Sequence, residues 1–231
     1  MTEGDGRVAV VTGGNRGIGL ELVRQLAVDG FVAILGSRDP GKGQAAATPL
    51  RSEGLDVEAR QLDVADDASV SGFAAGLDRL DVLVNNAAIH YDTWESGVDA
   101  DLGVAREAFE TNVLGAWRMT QACLPALRGS ASARVVNVSS GAGQLSDMGG
   151  GAPAYRVTKT ALNALTRILA NELRSDGILV NAVCPGWVAT DMGGPGGRPV
   201  AAGAASVMWA VRLPDDGPTG GFFRDGRRLD W

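Results

Sequence analysis

The chain is short of the residues that most often carry acid–base and metal chemistry. Among its 231 residues there is one histidine, His90, and two cysteines, Cys123 and Cys184. A single histidine leaves no material for a histidine-based triad or a zinc site, and no metal is expected. His90 reads as a surface residue behind a turn. Two cysteines without motif spacing read as reduced core residues. No apolar run nears the ~20 residues of a membrane helix, and a mean hydropathy of +0.04 fits a soluble chain. The opening, Met1-Thr2-Glu3-Gly4-Asp5-Gly6, lacks the basic and apolar regions of a signal peptide, which predicts a cytoplasmic protein. Net charge is −6, with no basic stripe, and that argues against a nucleic-acid partner.

Lysine and tyrosine are equally scarce. Lys42 and Lys159 are the only lysines, Tyr91 and Tyr155 the only tyrosines, and one of each falls in Tyr155-Arg156-Val157-Thr158-Lys159. Residues four apart share a helix face. An ammonium beside a phenol favours the phenolate and lowers its pKa from about 10. Tyr155 is then expected to exchange a proton near neutral pH. A solvated surface pair is the bland alternative, and the rest of the chain weighs against it.

What the chain has in excess is glycine. The 33 glycines are about twice the usual share of roughly 7%, and they crowd at 13–19, 141–151 and 193–203. With no repeat period they predict loops around a rigid scaffold, and 193–203 is expected to be a mobile lid. Between the glycine clusters, apolar runs at 7–12, 31–35, 57–62, 80–84, 134–138, 178–183 and 219–223 read as strands. Helical patterns lie at 17–29, 41–53, 66–77, 104–128, 153–175 and near 201–212. The alternation predicts an α/β fold: one doubly wound, Rossmann-type domain over 1–231, with a parallel sheet of about seven strands and helices on both faces.

Thr12-Gly13-Gly14-Asn15-Arg16-Gly17-Ile18-Gly19 joins the first strand to the first helix. Its glycines permit a tight turn and let a pyrophosphate meet the helix N-terminus, so Gly13, Asn15, Arg16, Gly17, Ile18 and Gly19 are expected to hold a dinucleotide. At the end of the second strand, Ser37-Arg38 offers a hydroxyl and a planar guanidinium suited to a 2′-phosphate, which predicts NADPH/NADP. If Asp39 faced the ribose instead, NADH would be favoured.

The spacing Gly-x-x-x-Gly-x-Gly is how short-chain dehydrogenases begin. The chain resembles the short-chain dehydrogenase/reductase family over nearly its whole length, and most resembles its carbonyl-reductase group. Asp63-Val64 is similar to the family's adenine-contacting pair. Asn85-Asn86-Ala87-Ala88 is similar to its Asn-Asn-Ala-Gly motif, with Ala88 in place of glycine. The resemblance implies cofactor contacts from Asn86 and Ala87, and from Pro185, Gly186, Val188 and Thr190 over the nicotinamide. It also implies a catalytic set of Asn112, Ser140, Tyr155 and Lys159. Tyr155 would protonate the carbonyl oxygen as hydride reaches the carbon, and Ser140 would bond that oxygen. Lys159 would hold the nicotinamide ribose, and Asn112 a water leading to solvent. The expected activity is reduction of a ketone or aldehyde small molecule by NADPH, with a possible homodimer or homotetramer formed through 104–128 and 153–175. A pathway-specific quinone or ketone reductase, and a dinucleotide-binding regulator without turnover, remain open.

Overall fold

Short strands buried on both faces organise the chain. The computed structural model describes residues 6–231, and the acidic residues 1–5, read above for a leader pattern, lie outside the described residues. In β1 (Val8–Thr12) four of five residues are buried, and β5 (Arg134–Val138) and β6 (Leu179–Val183) are buried throughout. Such runs suit a sheet covered by helices on each side. The others are β2 (Val32–Ser37), β3 (Val57–Gln61), β4 (Val82–Asn85), β7 (Phe222–Arg224) and β8 (Arg227–Arg228). The order is β3-β2-β1-β4-β5-β6-β7-β8, parallel except for the antiparallel β7–β8 pair.

Side chains alternate between two cores. Ala9, Val11, Leu35 and Val84 face α1 (Gly17–Val28), α2 (Pro40–Ser52) and α7 (Val200–Val211). Val10, Ile34, Leu83 and Val135 face α3 (Asp67–Ala75), α5 (Ala116–Arg128) and α6 (Pro153–Glu172). Among the described residues no helix is long and apolar enough to cross a membrane.

Three departures from the sequence reading have local causes. The sheet has eight strands rather than about seven, because Asp225 and Gly226, both at positive φ, turn Arg227–Arg228 back as a two-residue strand. A pair of arginines has no apolar alternation to announce it. The helix expected over 104–128 is α4 (Leu102–Phe109) and α5 joined by a π turn, Glu110–Gly115. The second strand runs on to Ser37. Strand order reverses between β1 and β4, and the crevice beyond the strand ends at that point is where open α/β sheets bind ligands.

Candidate active site

Tyr155 owes its position to the start of α6. Pro153 occupies the first turn, and Ala152 before it, at φ 47°, supplies no side-chain cap. The cap comes from the loop after β4. Buried Asp92 accepts from the N–H of Ala154 at 2.9 Å and of Tyr155 at 3.1 Å. A carboxylate there satisfies orphan donors and complements the helix dipole. Tyr91, next to Asp92, sets its ring edge-on to that of Tyr155, with centroids 4.9 Å apart.

One turn along α6, Lys159 is 3% exposed and donates from Nζ to the Val138 carbonyl at 2.7 Å. Ser140 ends the extended chain after β5 and opens a short 3₁₀ turn, Gly141–Gly143, with its Oγ accepting from the N–H of Ala142. That turn lies directly on α6, since a Cβ on Gly143 would come 2.8 Å from the Lys159 carbonyl carbon. Ser140, Tyr155 and Lys159 are thus brought together by β5 and α6.

The electrostatics differ from expectation. Burial pushes the Tyr155 phenol up to about 12, opposed by hydrogen bonding from Ser140. Lys159 does not lower it. Its Nζ lies 5.6 Å from the ring centroid and is turned to the Val138 carbonyl, while burial depresses the ammonium to about 8. Desolvation disfavours both charged forms and outweighs the pairing expected from helix spacing alone.

Asn112 sits in the π turn, but its side chain is already engaged. Its Oδ1 accepts from the Ile89 N–H at 2.8 Å, and its Nδ2 donates to the Ile89 carbonyl and the Thr158 hydroxyl, both at 3.1 Å. Both amide hydrogens are used, so a water relay through this residue would need its main chain. His90 pairs with Glu107 at 2.8 Å, as a surface histidine does.

The residues expected to hold a dinucleotide line the reversal point. Gly13 and Gly17 have φ of +63° and +53°. A Cβ on Gly19 would come 2.4 Å from the Gly13 carbonyl oxygen, so no side chain fits. Arg16 at the N-cap of α1 makes no capping bond, which leaves that helix terminus open. Asn15 and Ile18 complete the loop, and Ile18 reaches the cavity described below. Asn86 Nδ2 ties the Thr12 and Gly13 carbonyls to the end of β4, and the N–H of Ala87 donates to the Thr12 hydroxyl. Val64 packs on Gly115 of the π turn, and Asp63 Oδ1 accepts from the Ala65 N–H. Beyond β2, Arg38 is exposed and has no ion-pair partner among the described residues. Asp39 is turned away, its carboxylate capping α2 at the Lys42 N–H. The Ser37 hydroxyl is spent on the Asp39 carbonyl at 2.8 Å.

The segment expected to be a mobile lid folds back as a loop on the chain after β6. The Arg198 N–H bonds the Trp187 carbonyl, the Ala189 N–H the Arg198 carbonyl, and the Gly194 N–H the Thr190 carbonyl. Gly197 is there for space, since a Cβ would fall 2.4 Å from the Val188 carbonyl carbon. Helix α7 begins at Val200 and takes in the rest of the segment. Within this loop Val188 is buried, and Thr190 packs against Gly17.

Pro185 and Gly186 lead into the loop and border a cavity of about 590 Å³ that is also lined by Ser140, Tyr155, Tyr91 and Trp187. Its outer wall is clasped to the end of the chain. The Ser146 N–H bonds the Trp231 carbonyl at 3.0 Å, Gln144 Nε2 bonds the Asp230 carbonyl at 3.1 Å, and the Trp231 ring stacks on Phe222.

Residues 7–198 match the family described as short chain dehydrogenase. The chain belongs to this family. It is 34% identical to carbonyl reductase [NADPH] 1 of Sus scrofa, over 97% of this chain and 94% of that one. It is 33% identical to (+)-neomenthol dehydrogenase of Capsicum annuum, over 94% of this chain and 95% of that one. Among solved structures, the NADPH-bound carbonyl reductase from chicken fatty liver superposes with a TM-score of 0.87 at 32% identity, over 98% of this chain and 99% of that one.

In this short chain dehydrogenase the contacts of four residues carry no local sequence signal, those of Tyr91, Cys184 and Arg224 on the cavity and of Asp92 behind it. Asp92 caps a helix about sixty positions away, which leaves no local signal. Tyr91 falls in the stretch 90–94 expected to wall the substrate pocket, but its edge-on contact with Tyr155 has no spacing to announce it. Cys123 is core, its thiol pushed up to about 12 by burial, whereas buried Cys184 lines the cavity and accepts the Gly141 N–H. Arg224 lies one residue past the strand read from the apolar run at 219–223.

Proposed function

We propose that this oxidoreductase transfers hydride from NADPH to the carbonyl carbon of a ketone or aldehyde, with Tyr155 giving the proton to oxygen. The observation that carries the reading is that Tyr155 and Ser140 face one cavity beside the open N-terminus of α1. NADPH fits the residues present. An uncapped helix terminus behind glycines at positive φ suits the pyrophosphate, and unpaired Arg38 suits the 2′-phosphate. When bound, the cofactor supplies hydride from nicotinamide C4.

The chain's own groups supply the rest. A phenol held at about 12 keeps its proton until the carbonyl oxygen takes on negative charge, and Ser140 donates to that same oxygen. Lys159, depressed to about 8, can hold or release a proton near neutrality and so restore the phenol. Self-association through α4, α5 and α6 belongs to the same reading.

Replacing Tyr155 with Phe removes only a hydroxyl. Carbonyl reduction should fall by at least about 100-fold, while fluorescence titration shows unaltered NADPH binding. Near-normal turnover by Tyr155→Phe would exclude it as the proton donor.

A further inference from the structure

The cavity contains a cation that this reaction does not use. Arg224, at the end of β7, lines the cavity and donates from Nε and Nη2 to Cys184 Sγ at 3.3 and 3.1 Å. A thiol sulfur is a weak acceptor. Arg224 makes no ion pair among the described residues, because the adjacent Asp225 carboxylate is held by both Nη atoms of Arg198 at 2.9 Å. The guanidinium has five N–H donors, and the nearby Asp225 carboxylate feels its charge but bonds Arg198 instead.

Its place is close to the reacting groups. The same sulfur accepts the N–H of Gly141 at 3.1 Å and of Gly186 at 3.4 Å. The chain after Ser140 and the turn at Pro185-Gly186 therefore converge with Arg224 on one atom. A Cβ on Gly141 would stand 2.6 Å from Arg224 Nη2, so the guanidinium lies directly against this backbone. Gly141 is one residue, about 3.8 Å of chain, from Ser140. The other charged residues lining the cavity are Arg156, bonded from Nε to the Gly151 carbonyl, and exposed Asp147. The balance is cationic, with the less exposed charges positive.

We propose that the substrate is an oxo acid, carrying a carboxylate near its carbonyl, and that Arg224 binds that carboxylate. A guanidinium fork matches two carboxylate oxygens, and the anion supplies the partner that the protein withholds. Arginine near Ser140 places the anion a few bonds from the reacting carbon rather than at the far end of a long chain. This inference rests on the reductase reading.

Short oxo acids, 2-oxobutanoate and acetoacetate, are compared with their methyl esters, using NADPH and the wild type, Arg224→Met and Arg224→Lys. At least one acid should show kcat/KM about tenfold or more above its ester, as expected for a charge-assisted bond. Arg224→Met should lose that preference, the KM for the acid rising about tenfold or more relative to that for the ester, with the KM for NADPH spared. Arg224→Lys, which keeps the charge without the fork, should retain part of it and so guards against a folding defect. Esters preferred over both acids, a preference that survives Arg224→Met, or a variant that raises the KM for NADPH instead would each overturn the proposal. If neutral ketones are reduced and the acids are not, the reductase reading stands and this one falls. If nothing is reduced, calorimetry on the NADP-saturated protein still decides. Acetoacetate binding lost in Arg224→Met upholds the anion site, and no binding to the wild type overturns it.

Discussion

Lys159 carries the sharpest conflict between charge and burial at the candidate site. Its folded pKa, about 8, lies below the ordinary value near 10.4. Below pH 8 the folded protein must keep an ammonium buried, and between roughly 8 and 10.4 the unfolded chain binds the extra proton, so stability rises with pH across that window. Tyr155, raised to about 12, acts in the opposite sense from about 10 upward. The lysine shift corresponds to about 3 kcal/mol, several degrees of melting temperature in a chain this size. The melting temperature of the wild type relative to Lys159→Met should therefore climb between pH 7 and 9.5. A constant difference across that range would show that Lys159 is not desolvated as described. Arg38 poses the simpler question of cofactor choice. With Asp39 committed to capping α2, the wild type should have the higher kcat/KM with NADPH, and Arg38→Asp should raise the KM for NADPH about tenfold or more. Steady-state kinetics with both cofactors check this, and a wild type that prefers NADH would refute it.

At the scale of elements, the start of α6 depends on a residue from another loop. Asp92→Ala leaves the Ala154 and Tyr155 N–H groups unpaired, at a cost of about 1–2 kcal/mol. It should lower kcat about tenfold or more by displacing Tyr155, with the KM for NADPH spared. Asp92→Asn, which keeps one acceptor, should recover much of the rate. Equal losses in both variants, or a loss confined to NADPH binding, would remove Asp92 from the positioning of Tyr155. The elements were legible where the period was strong, as in β1, β5 and α6. The glycine loop and the Tyr155–Lys159 pair carry their spacing within one stretch of chain, whereas Ser140 is expected only from the family resemblance. Asp92, Arg224 and the phenol's raised pKa could not be read, since each depends on what the fold brings close and on how much water it removes. The glycines of 193–197 are a related case, because a mobile lid and a close backbone crossing call for the same residue. They mark places where backbone crosses backbone at short range, and composition alone does not separate that need from looseness.

For the whole molecule, the remaining question is what covers the outer helices. Trp117 on α5 is 39% exposed, and Val157 and Ile168 on α6 are 53% and 48% exposed. Large apolar side chains on neighbouring helices fit a self-complementary interface. The protein should scatter light as a dimer or tetramer of the 23.8 kDa chain, and Trp117→Glu with Ile168→Glu should return it to one chain. A wild type of monomer mass across a wide concentration range would refute this. The clasp at Trp231 bears on how such experiments are built. Trp231 is held by the Ser146 N–H, by its stack on Phe222 and by the Arg167 guanidinium over its ring, so a purification handle or fluorescent partner joined at this residue would load that wall directly. β1, by contrast, is a central strand, and its first residue lies at the strand end away from the glycine loop. An attachment ahead of that strand leaves the wall free to report only on its ligand.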